Sequence, residues 1–122
     1  MRPAILVVDD EKIVRLFLEK TLGKKYDLIV KENGSEVLEW LQQGKKPDLI
    51  ISDLHMPYLD GYDLLKSIKA NQDLSSIPVL MLSGMDSSEE KEKCLNLGAD
   101  DYLTKPLNIV ELIQRVENLI PS

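Results

Sequence analysis

Two kinds of apolar block alternate along this chain. Short runs at 4–8, 27–31, 49–52, 79–82 and 101–103 are bounded by turn-forming residues, which predicts strands. Between them lie longer stretches with apolar residues at helical spacing. The first, about 11–22, carries Ile13, Val14, Phe17, Leu18 and Leu22 as its inward stripe. The second, 35–42, turns Val37, Leu38 and Leu41 inward, with Trp40 half-buried at the edge of the stripe. Stretch 60–70 buries Tyr62, Leu64, Leu65 and Ile68, and stretch 108–120 buries Ile109, Leu112, Ile113, Val116 and Ile120. Stretch 87–97 is different. It reads Ser-Ser-Glu-Glu-Lys-Glu-Lys before Cys94, Leu95 and Leu97, so only its second half has apolar side chains to bury.

Punctuation agrees with these boundaries. Gly23, Gly44 and Gly98 follow helical stretches, where glycine commonly ends a helix. Asn33-Gly34 is a turn signal. Asp60, Ser87 and Asn108 are predicted N-caps, and Glu90 and Glu111 stand three residues after the last two in a capping-box pattern. Pro121 stops the last helix. Met81 and Met85 are expected to fill core and loop.

Strict strand–helix alternation predicts an α/β domain with a parallel sheet and helices on both faces. The first, third and fourth strands are the most apolar and belong in the centre. Order 2-1-3-4-5 with right-handed crossovers satisfies this, a flavodoxin-like doubly wound (βα)5 sandwich. With 122 residues, one domain over 1–122 is expected.

Charge narrows the function. The chain has 21 acidic against 15 basic residues, net −6, which argues against direct nucleic-acid binding. No run approaches the roughly 20 apolar residues of a membrane span, so no membrane insertion is expected. Arg2-Pro3 leads into a strand rather than a signal peptide. The lone cysteine, Cys94, forms no internal disulfide and fits a reducing compartment, so a cytoplasmic location is expected.

The candidate chemistry lies at strand ends. The first strand runs into Asp9 and Asp10, and the third into Asp53, followed by Pro57 and Asp60-Gly61. In open α/β sheets the carboxyl edge is where ligands bind. Three carboxylates in one crevice repel each other unless a cation compensates, and Mg²⁺ accepts such oxygen ligands. The fourth strand delivers Ser83 to the same edge and the fifth delivers Lys105. A carboxylate nucleophile beside a metal, an ammonium and a hydroxyl is suited to accepting a phosphoryl group.

Val7-Val8-Asp9-Asp10-Glu11, Asp53-Leu54-His55-Met56-Pro57 with Asp60-Gly61, Ser83-Gly84, and Gly98-Ala99-Asp100-Asp101-Tyr102-Leu103-Thr104-Lys105-Pro106 occur in this order. In these motifs the chain resembles the receiver domain of two-component response regulators, chemotaxis-type, over essentially its whole length. The resemblance implies that Asp53 is the phosphoacceptor. It implies Mg²⁺ (or Mn²⁺) held by Asp10, Asp53 and the backbone carbonyl of His55, with Asp9 acting through a metal-bound water. Lys105, Ser83 and Gly84 contact the phosphoryl group, Ser83 and Tyr102 form the switch pair, and Lys105-Pro106 is a cis peptide. The donor is a sensor histidine kinase or histidine phosphotransfer protein. Self-phosphorylation and self-dephosphorylation are then its only chemistry.

Two other functions suit parts of the pattern. A flavin binder of this fold needs a phosphate cradle after the first strand, where this chain has Asp9, Asp10 and Glu11. An aspartyl-phosphate phosphatase commonly has an acid two residues after its nucleophile, where this chain has His55. Output is expected through the surface of the fourth helix, fifth strand and fifth helix, to a downstream partner, an output domain or a second phosphorylated copy. Residues 84–93 are expected to be the most mobile part of the second half.

Overall fold

The computed structural model describes residues 2–84 and 87–120. The elements alternate as β1 (Ala4–Val8), α1 (Lys12–Leu22), β2 (Asp27–Lys31), α2 (Gly34–Gln42), β3 (Leu49–Asp53), α3 (Gly61–Ala70), β4 (Val79–Ser83), α4 (Ser88–Asn96), β5 (Asp101–Thr104) and α5 (Ile109–Leu119). All five strands form one parallel sheet in the order β2-β1-β3-β4-β5. Met85, expected in the loop after β4, and Pro121, expected to end α5, lie outside the described residues.

Alternate side chains of a strand leave opposite faces, and this splits the core in two. Leu6, Val8, Ile50, Met81 and Tyr102 pack under α2, α3 and α4 against Val37, Leu41, Leu64, Leu65, Ile68 and Cys94. Ile5, Val7, Ile51, Leu80, Leu82 and Leu103 face the other way, against Leu18 and Leu22 of α1 and Leu112 and Val116 of α5. Trp40 and Tyr62 are half-buried against the first cluster.

The predicted stripes of α1 and α5 are too long at their starts. Ile13 is 75% exposed and Ile109 is 52% exposed. Each lies in the first turn of its helix, at the carboxyl edge where the strands end. Asn33 is no free turn residue: its side chain accepts from the Glu36 N–H at 3.0 Å and caps α2.

Strands β3, β4 and β5 each continue one residue beyond the predicted end. Backbone bonds run from Leu54 N–H to Leu82 C=O (2.8 Å) and from Lys105 N–H to Ser83 C=O (2.7 Å). Asp53 and Ser83 therefore belong to the ladder, which fixes where their side chains start. Gly61 opens α3 against this edge: a Cβ there would stand 2.4 Å from the Asp53 carbonyl oxygen. Asp60 caps the helix by accepting from Asp63 N–H at 2.9 Å.

Candidate functional site

Asp9 and Asp53 end neighbouring strands, since Val8 pairs with Ser52. Both are buried, while Asp10 and Glu11 are exposed beside them. Asp9 Oδ1 accepts from the Glu11 N–H at 2.8 Å, and Arg15 Nη1 donates to the Asp9 carbonyl at 2.7 Å. Those contacts hold Asp9 Oδ2 inward, where it accepts no well-directed hydrogen bond from the described residues. Its ion-pair partner is Lys105 Nζ at 3.0 Å, and the same ammonium stands 2.9 Å from Glu11 Oε1 and 3.3 Å from Asp53 Oδ1.

The charges perturb one another. Burial raises the Asp53 carboxyl, the Asp9 charge raises it further, and Lys105 only partly offsets them, leaving it at about 6. Asp9 is also raised, by burial first, against the opposing pull of the Glu11 N–H and Lys105. Burial lowers Lys105, but the carboxylates of Glu11, Asp9 and Asp53 outweigh it and its affinity for the proton rises.

Asp9, Asp10, Glu11 and Asp53 each present an oxygen within 4.8 Å of the others. Three of these four carboxylates pair with the Lys105 ammonium, all four offer oxygen ligands, and one buried oxygen lacks a directed donor among the described residues. That set suits a hard divalent cation. A cavity of about 350 Å³ lined by Asp10, Glu11, Asp53, His55, Gly84 and Lys105 opens over it. The Lys105-Pro106 peptide at its rim is cis.

Ser83 and Tyr102 lie beside this cluster but point to a residue that the sequence motifs do not single out. The Ser83 hydroxyl donates to Glu90 Oε1, and the Tyr102 hydroxyl donates to the same oxygen at 3.1 Å. His55 Nε2 lies 3.1 Å from Glu90 Oε2, so its ring serves α4 rather than the acid cluster. Tyr102 is turned inward and only 6% exposed. Glu90 was expected to complete a capping box. Its N–H does bond Ser87 Oγ at 3.2 Å, but its carboxylate turns into the molecule. Burial raises the Glu90 carboxyl, yet the bonds from Ser83, His55 and Tyr102 outweigh it and the net shift is downward. One signal for Glu90 is present in the sequence: it precedes buried Cys94 by four residues, so both share one helix face. Glu11 is the other omitted residue, reachable as a neighbour of Asp9-Asp10.

Among the described residues no helix is long and apolar enough to cross a membrane. A family model described as the response regulator receiver domain matches residues 5–117. The chain is 39% identical over 121 residues to the alkaline phosphatase synthesis transcriptional regulatory protein PhoP of Bacillus subtilis, covering 98% of this chain and 49% of PhoP. It is 38% identical to histidine kinase P4 of Formosa agariphila, covering 99% of this chain and 9% of that kinase. It thus spans half or less of the length of these curated relatives. Among solved structures, a putative response regulator from Chloroflexus aurantiacus superposes with a TM-score of 0.93 at 32% identity, covering 100% of both chains.

Proposed function

Because this chain belongs to the response regulator receiver domain family, we propose that Asp53 accepts a phosphoryl group from a phosphohistidine of a sensor histidine kinase or a phosphotransfer protein. The observation that carries this reading is the Asp53 carboxylate, 4% exposed, meeting Lys105 at 3.3 Å beneath a cavity that opens to solvent. An Asp53 oxygen attacks phosphorus, the donor's P–N bond breaks, and the imidazole leaves with the electron pair and takes up a proton. Lys105 offsets charge on the phosphoryl oxygens, and Ser83 and Gly84 receive the group at the end of β4. Asp9, Asp10, Asp53 and the His55 carbonyl are the residues to hold Mg²⁺ (or Mn²⁺), which when bound supplies positive charge at the transferring group.

The output face in this proposal is α4, β5 and α5, toward a partner, an output domain or a second copy. These three elements surround a surface cavity of about 470 Å³ lined by Lys91, Tyr102, Glu111 and Arg115, among others. Tyr102, buried on β5, is the side chain that links that face to Ser83. Residues 1–122 act as one receiver domain in the cytoplasm, alone or within a longer regulator or kinase. Phosphoramidate, a P–N donor, tests the chemistry. Phosphoryl uptake is expected with Mg²⁺ and not with EDTA, and hydroxylamine should release the group as an acyl phosphate. A hydroxylamine-stable product contradicts the proposal.

A further inference from the structure

Among the described residues, Glu90 is a carboxylate near the site that faces hydroxyl groups rather than the ammonium. Its side chain is 10% exposed, although it lies in the most polar helix of the chain. One of its oxygens accepts from both the Ser83 and Tyr102 hydroxyls, and the other lies 3.1 Å from His55 Nε2. As half of a capping box it would turn back toward Ser87 at the helix start; instead it reaches across to β4 and β5.

A serine hydroxyl has one proton to donate. While that proton points at Glu90, it is not available to a phosphoryl oxygen on Asp53. We propose that Glu90 is a positioning residue that opposes phosphoryl transfer: in the unmodified protein its carboxylate holds the Ser83 hydroxyl and the Tyr102 phenol, and an incoming phosphoryl group must take Ser83 from it. This rests on Asp53 being the phosphoacceptor. The competition also gives α4 a reason to respond. Cys94 is the only residue that α4 buries, so the Glu90 bonds are a large share of what ties its first turns to the sheet. When Ser83 turns to the phosphoryl group, Glu90 loses one of the donors that hold it, and the tie between α4 and the sheet weakens.

The test uses acetyl phosphate and Mg²⁺ with the wild type, Glu90→Ala, Ser83→Ala and the double variant, following uptake by intact mass. The acetyl donor's P–O bond breaks, acetate leaves with the electron pair, and the Asp53–phosphorus bond forms. Alanine suits a helix, so Glu90→Ala keeps α4. Removing a charge-assisted hydrogen bond should raise the initial rate about tenfold. In the Ser83→Ala background the same change should leave the rate unaltered, because there is no hydroxyl to release. Hydrogen exchange of the unmodified protein is expected to rise over 87–96 in Glu90→Ala. Equal rates for wild type and Glu90→Ala, or a gain that persists without the Ser83 hydroxyl, overturn the competition alone. A wild type that takes up no phosphoryl group overturns the phosphoacceptor reading, and the competition with it.

Discussion

Lys105 Nζ stands 3.3 Å from Asp53 Oδ1, although a whole strand, β4, separates their strands in the sheet. The Lys105 backbone is held by its bond to Ser83, and the side chain crosses the end of β4 to reach β3 and β1. An ammonium so placed is what allows Asp9 and Asp53 to be buried together. Lys105→Met leaves both without a cation, and losing one partner of a buried pair is costly. A loss of about 2–3 kcal/mol at pH 8 in EDTA is expected from urea denaturation, shrinking at pH 5 as the carboxyls take up protons.

Asp53 has an opposite and equally measurable signature. It binds its proton more tightly folded, at about 6, than at its ordinary value of 3.8. Between those values the native state holds more protons than the unfolded chain, so stability falls as the pH rises through that window. The favourable contribution is fully present below 3.8 and gone above about 6. Asp53→Asn imitates the neutral form. In EDTA it should exceed the wild type by ~3 kcal/mol at pH 8, with the difference closing by pH 4.

Divalent cations should remove the same stress. A ligand that binds only the folded state stabilises it by RT ln(1 + [L]/Kd), ~2.7 kcal/mol at a hundred times Kd. Mg²⁺ is expected to raise the melting temperature of the wild type, and Asp10→Ala to abolish the rise. A melting curve indifferent to saturating Mg²⁺ counts against the acidic cluster as a metal site.

Tyr58, in the loop after the proposed phosphoacceptor, has φ +71° and is 94% exposed. A side chain with a bulky ring is strained in the left-handed region, and this one makes little contact in return. Asparagine tolerates that conformation. Tyr58→Asn should therefore stabilise the protein by about 0.5–1 kcal/mol in thermal or urea unfolding, and a loss of stability would show that the ring contributes packing.

The architecture was readable because strand and helix periods alternate without interruption, and because acids, a hydroxyl and a lysine recur at strand ends. Helix caps were equally legible at Asp60, Ser87 and Asn108, whose side chains each accept from the N–H three residues on. Periodicity marks which face of a helix turns inward but not where the sheet beneath it ends, and that is why Ile13 and Ile109 were expected inside. Glu90 was obscured differently. Local pattern favours a cap, whereas its carboxylate follows three donors, Ser83, Tyr102 and His55, that only the folded sheet and loop bring together. The polar first half of α4 looked unanchored for the same reason, since its anchor is a charge. Part of the segment expected to be mobile, residues 85 and 86, lies outside the described residues.

The central claim is that Asp53 is the residue modified. Intact-mass measurement after incubation with acetyl phosphate and Mg²⁺ tests it most directly. The wild type should gain one phosphoryl group and Asp53→Asn none. An unmodified wild type, or an Asp53→Asn variant that gains the same mass, would contradict it.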